Sequence, residues 1–207
     1  MTLDVEAEIA GLRARLDAVE LRARAAEDHL AVADLQRIYG YYVDKCQWEQ
    51  VADLFSRDAT VEINGRGTFI GHERIREYMR HFGPPPDGLL MNHMQLQPVV
   101  TVAPDGQTAQ CRLRALMLVG RLGGEQMWGE CLYENEYVRE DGVWKISRLK
   151  SWQVFYTPFD KGWGVEVMPL LGAFDDLPPD EPTEPYPVFP EMFVPPYHYK
   201  NPVTGRE

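Results

Sequence analysis

Among the side chains of the types needed to move protons are Tyr39, Asp44 and His93. An imidazole titrates near neutrality, so His93 can take a proton from carbon or oxygen and return it to a leaving group. A carboxylate such as Asp44, hydrogen-bonded to that ring, would fix its tautomer and favour the imidazolium. The Tyr39 phenol can donate to an oxygen that gains charge in a transition state. Each residue also has a plain structural reading. Asp44 can cap the helix that begins near Trp48, Tyr39 falls on an apolar stripe, and His93 sits among Met91, Met94 and Leu96. The sequence holds no glycine-rich phosphate loop, nucleophile elbow or zinc pattern. His93, without neighbouring His or Cys, is a poor metal ligand, and neither a metal nor an organic cofactor is expected.

The elements that must position these residues follow from periodicity. Leu35, Ile38, Tyr39 and Tyr42 recur at helical spacing, as do Trp48, Val51, Leu54 and Phe55, and Asp44-Lys45-Cys46-Gln47 forms a polar joint between them. Ser56-Arg57-Asp58 is expected to stop the second helix before an alternating strand, Ala59 to Ile63. Gly71 to Met79 reads as a short amphipathic helix closed by Gly83 and three prolines. Four long strands follow, over 91–102, 110–122, 127–139 and 143–155, separated by Pro104-Asp105-Gly106, Gly123-Gly124 and Asp141-Gly142 turns. Helices first and antiparallel strands afterwards predict an α+β fold.

Both ends depart from that pattern. Residues 4–31 read as one helix with a heptad seam, Val5, Ile9, Leu12, Leu16, Val19, Ala23, Ala26 and Leu30, suited to self-association. From Pro158 onward lie eleven of the sixteen prolines, interleaved with Phe159, Trp163, Phe174, Tyr186, Phe189, Phe193, Tyr197 and Tyr199. Proline density forbids regular structure there, but the aromatic content argues for an extended tail ordered by its rings. The expected organisation is a helix over 1–32, an α+β domain over 33–157 and a tail over 158–207.

Bulk composition narrows the partners. A net charge of −11 with scattered cations argues against nucleic acid or an anionic membrane surface. Cys46, Cys111 and Cys131 lack metal spacing and suit small core positions in a reducing compartment. No apolar run reaches the ~18 residues of a membrane span and no leader pattern opens the chain, so a cytoplasmic protein is expected.

The Tyr39–Gly71 stretch, the His93–Val100 strand with its Asp105-Gly106 turn, and the Tyr137–Ile146 hairpin together resemble the nuclear transport factor 2-like (SnoaL-like) superfamily over roughly residues 33 to 155. The resemblance implies a cone-shaped, curled antiparallel sheet packed on helices around an internal pocket. It implies that Tyr39, Asp44 and His93 share that pocket, as the Tyr, Asp and His of the scytalone and bile-acid dehydratases do. Met117 stands where the scytalone enzyme has a second histidine. Cys131 and Tyr133 stand near that enzyme's Ser and Asn, with Asn135 one inward step on. Tyr42, Trp48, Arg114 and Trp152 are further candidates for the substrate wall, with strand register deciding between Arg112 and Arg114. The whole chain also resembles the lignin-dimer γ-formaldehyde lyases in plan. The implied activity is a cofactor-independent lyase releasing formaldehyde or water from a hydrophobic, hydroxylated aromatic molecule. Two alternatives stand beside it: an isomerase or cyclase of the ketosteroid-isomerase or polyketide type with Asp44 as base, and a non-catalytic binding or assembly module. A homodimer or homotrimer is expected, assembled through the open sheet face with help from the heptad helix.

Overall fold

A computed structural model describes residues 5–206; Asp4, the expected first residue of the N-terminal helix, lies outside them. The elements run α1 (Val5–Asp44), α2 (Trp48–Asp53), β1 (Phe55–Ile63), β2 (Thr68–Ile70), α3 (His72–His81), β3 (Leu89–Val102), β4 (Thr108–Arg121), β5 (Gln126–Glu140) and β6 (Val143–Pro158). The six strands form one sheet in the order β2-β1-β6-β5-β4-β3. Its pairings are antiparallel except β1 with β6, which is parallel. The sheet curls without closing and gives the α+β cone expected from the sequence.

The strands alternate as a half-covered sheet must. On β4, Ala109, Cys111, Leu113, Ala115 and Met117 are buried, and on β5 Cys131, Tyr133, Asn135 and Tyr137 are buried. These odd-numbered positions face the helices. Val51 and Phe55, Phe69 beside β1, and Ile75, Tyr78 and Met79 of α3 complete the core. Cys111 and Cys131 are fully buried within it and Cys46 partly so, all three as free thiols.

Three boundaries differ from the sequence reading. The two predicted helices before the polar joint are one helix of 40 residues, because Ala31-Val32-Ala33-Asp34 carries no glycine or proline to interrupt it. The domain boundary placed at residue 32 therefore falls inside α1. The second helix ends at Asp53, and Ser56-Arg57-Asp58 belongs to β1, whose pairing with β6 shifts register between Phe55 and Thr60. The three-residue strand β2 is too short to show a period of its own.

Among the described residues the tail after β6 contains no helix, and its only β-bridge joins Glu181 to Thr68. It is held by specific contacts nonetheless. Arg74 donates to Asp180 Oδ1 at 3.1 Å and to the Pro178 carbonyl, and the Ile70 amide donates to Asp180 Oδ2 at 2.8 Å. Further on the tail crosses the outer sheet face. Tyr186 and Phe193 pack on Trp152, and the Tyr186 hydroxyl accepts from the buried Gln153 amide at 2.8 Å. Arg112 is covered by Tyr197 and donates to Glu134 and to the Pro196 carbonyl. The outer face expected to join subunits is thus partly occupied by the chain's own C-terminal segment.

Candidate active site

The polar joint after α1 sets the geometry of the site. The helix ends in a tight 6→1 and 5→2 pair: the Gln47 amide donates to the Tyr42 carbonyl at 2.9 Å and the Cys46 amide to Val43 at 3.0 Å. Cys46 takes the left-handed conformation, φ 51°, that such an ending requires and that glycine more often supplies. This stop leaves Asp44 as the last helical residue, over β3. One turn earlier, Gly40 lets α1 descend onto that strand. A Cβ there would lie 2.7 Å from Gln95 Cγ and 3.2 Å from the His93 carbonyl oxygen.

Asp44 and His93 meet as a result. Asp44 Oδ1 accepts from the His93 backbone amide at 2.7 Å and lies 3.0 Å from His93 Nδ1. An ionised carboxylate only accepts, so this contact places the ring proton on Nδ1 and leaves the Nε2 lone pair free. Asp44 is not a cap of α2, whose N-cap is Gln47 with no side-chain bond. A part-buried amide relay steadies the strand beneath. Gln36 donates to Gln95 Oε1 at 2.9 Å, and Gln95 donates to the His93 carbonyl at 3.0 Å.

His93 opens onto a cavity of about 300 Å³ inside the cone. Of the residues named from sequence, Tyr39, Trp48, Met117 and Tyr133 line it together with His93. Asp44 stands behind the histidine rather than on the wall. Four named residues lie elsewhere. Tyr42 packs half-buried beside the core. Asn135 faces α1, donating to Gln36 Oε1 at 2.9 Å and accepting from the Lys150 amide at 3.0 Å. Arg114 and Trp152 point outward because they occupy the even-numbered face: Arg114 pairs with Glu130 at 2.9 Å, and Trp152 lies under the tail. Arg112 shares that face, so register turns both arginines away from the pocket.

The cavity also holds residues that the sequence pattern did not single out. Tyr78 of α3 lines it, and its buried hydroxyl has no hydrogen-bond partner. Tyr156 and Asn64 form a polar wall: Asn64 Nδ2 donates to Tyr156 Oη at 2.9 Å, and Ser151 donates to Asn64 Oδ1 at 2.7 Å. Asn64 holds a left-handed backbone, φ 51°, at the end of β1. Arg66 reaches the wall with its guanidinium 4.0 Å from the centre of the Phe174 ring. Met168 and Leu171 of the tail close one side. Ile75, Tyr78 and Met79 form the buried face of the helix that the sequence showed as amphipathic, but only the fold shows that this face meets a cavity.

Burial, and then the closeness of other phenol and thiol groups, pushes the Tyr39 and Tyr133 hydroxyls far above the usual tyrosine range. Burial also raises Tyr78 and Tyr156, against a smaller opposing pull from Arg66. All four stay neutral phenols and remain hydrogen-bond donors at physiological pH. The wall thus offers phenol donors, one guanidinium and one imidazole amid Met, Val and Phe side chains. Among the described residues no three His, Cys, Asp or Glu side chains gather as a metal-ligand set, and no helix is long and apolar enough to cross a membrane.

Comparison with known proteins agrees with this architecture. The chain is 28% identical over 130 residues to hexachlorocyclohexane dehydrochlorinase 1 of Sphingobium indicum, covering 62% of this chain and 82% of that protein. It superposes on a type 2 hexachlorocyclohexane dehydrochlorinase (LinA) with a TM-score of 0.55 and 27% identity, covering 70% of this chain and 93% of that one. An NTF2-like protein with a cystatin-like fold from Novosphingobium aromaticivorans gives a TM-score of 0.53 at 21% identity, covering 74% and 92%, a likeness of fold alone. The SnoaL-like domain model matches residues 24–150, which takes in the Asp44–His93 pair and most of the cone but leaves out the first half of α1 and the tail. The chain belongs to the SnoaL-like domain family.

Proposed function

We propose that the protein is a cofactor-independent lyase that eliminates a small leaving group from a hydroxylated aromatic molecule held inside the cone. The observation that carries this reading is the Asp44–His93 pair, 3.0 Å apart, at the edge of a cavity lined by four phenols. For loss of water, His93 Nε2 takes a proton from the carbon next to the carbinol. The C–H electron pair becomes the new double bond, the C–O bond breaks, and the departing hydroxide takes the proton back from His93 as water. For loss of formaldehyde, Nε2 takes the hydroxymethyl O–H proton, and the C–C pair moves into the substrate's conjugated acceptor. The proton then returns to that acceptor. Either path builds imidazolium next to Asp44 and negative charge on the substrate opposite the phenol donors.

The volume lies at the small end of ligand pockets, roughly 300–1,000 Å³, and suits a compact aromatic substrate. The dehydrochlorinase likeness supports elimination as the reaction class, since that relative's name describes loss of hydrogen chloride. The test is a turnover screen on hydroxylated aromatic monomers and dimers, reading released formaldehyde colorimetrically and conjugated product by absorbance. Wild type is expected to turn over at least one of them, and His93→Ala to lose roughly 10²–10⁴-fold in rate. A normal rate in folded His93→Ala, or ligand binding without product across the panel, would overturn the proposal.

A further inference from the structure

Residues 5 to 27 of α1 are exposed on every face, a rod of about 35 Å at 1.5 Å per residue. A helix exposed all round is marginal in water unless an apolar stripe is covered. Such a stripe is present. Val5, Ile9, Leu12, Leu16 and Val19 are each 45% to 60% exposed, and the seam continues through Ala23 and Ala26 to Leu30. It faces away from the chain's own domain. Asp28 is buried, accepting from Arg139 and from Trp144 Nε1. Leu30, about 200° further round the helix, is exposed.

The charges beside the seam select what covers it. One flank carries Glu8, Arg15 and Arg22, and the other Glu6, Arg13, Glu20 and Glu27. In a parallel, in-register pair, each residue of the first flank faces the residue five places on in the second flank of the other helix. The facing pairs are then Glu8 with Arg13, Arg15 with Glu20, and Arg22 with Glu27, and every one is of opposite sign. An antiparallel pair centred on the same seam keeps Arg13 opposite Glu20 but sets Arg15 against Arg22 and Glu6 against Glu27, so two of these three pairings repel. The consecutive alanine layers at 23 and 26 let two helices approach closely, whereas three would surround a void there.

We infer that the N-terminal half of α1 dimerises the protein with a second copy of the chain, as a parallel, in-register two-stranded coiled coil whose flanking charges fix the orientation. The seam points outward even where the helix lies on its own domain, so the two cones sit on the outer sides of the pair. This holds whether or not the cavity is catalytic.

The test is sedimentation of the full-length protein at micromolar concentration, together with cross-linking of Leu12→Cys. Wild type is expected at twice the 23.8 kDa chain mass. Oxidised Leu12→Cys should give a covalent dimer absent from the wild-type control, because residue 12 meets its own copy only in the parallel register. Arg15→Glu/Arg22→Glu and Glu20→Arg/Glu27→Arg should each sediment as monomers, and mixing them should restore a one-to-one dimer. Near-ultraviolet circular dichroism of each variant checks that the cone stays folded. A wild-type monomer, a trimer, or failure of folded Leu12→Cys to cross-link would overturn the inference.

Discussion

Asp44→Asn isolates the electrostatic part of the proposed chemistry. Asparagine keeps an acceptor oxygen where Asp44 Oδ1 receives the His93 amide at 2.7 Å and meets Nδ1 at 3.0 Å, so the shape of the site survives. What disappears is the charge facing the imidazolium formed when His93 takes a proton. Both side chains are 14% exposed, which places the pair near the protein surface rather than in a dry interior. Opposite charges about 4 Å apart at an effective dielectric near 20 interact by about 4 kcal/mol. Solvent screening and the remaining amide dipole reduce this to about 2–3 kcal/mol in the transition state, or about 30- to 150-fold in rate. Single-turnover kinetics should show that loss with a melting temperature close to wild type. Because Asp44 acts through His93, the double variant Asp44→Asn/His93→Ala should be about as slow as His93→Ala alone. A slowing of less than about threefold, or losses that multiply in the double variant, would refute the reasoning.

Tyr78→Phe should leave stability unchanged or slightly raised, since it removes a buried hydroxyl with no partner. It should also lower turnover if that hydroxyl donates to the substrate, and equal kinetics in both forms would remove Tyr78 from the site. Tyr186→Phe strands the buried Gln153 amide and should cost about 1–3 kcal/mol in chemical denaturation; an unchanged midpoint would show that the tail is not fastened there. Hydrogen bonds from Arg80, then Arg76, lower Glu49 from 4.5 to about 2. Wild type should therefore melt above Glu49→Gln with a constant gap over the range above about pH 4.5, and that gap should close as the pH falls through about 2. A gap independent of pH across that range would rule out the Glu49 clamp between α2 and α3.

The sequence made the strand layout readable because the four long runs are separated by Gly, Asp or Pro turns. Which face each strand residue takes was legible only in part. Met117 and Tyr133 sit on inward positions, whereas Arg114 and Trp152 lie one step out of phase, and a single-residue offset moves a side chain to the opposite face. Asn135 is inward, yet it meets Gln36 of α1 rather than the cavity, and no local pattern encodes that partner. The helix stop at Cys46 was visible only as a polar interruption because the left-handed position lacks a glycine. Tyr78, Asn64 and Tyr156 escaped notice for a different reason. Each reads as ordinary core or turn until three separate elements are brought around one hollow.

One consequence follows from Met168 and Leu171 forming part of the cavity wall. Asp44 and His93 are carried by α1 and β3 of the cone, whereas this part of the wall comes from the irregular segment after β6. Changes at 168 or 171 can therefore resize the chamber without repacking the sheet or touching Asp44 and His93. On the proposed chemistry, reaction type and substrate range would be written in separate stretches of the chain, and the second could drift while the first is held still.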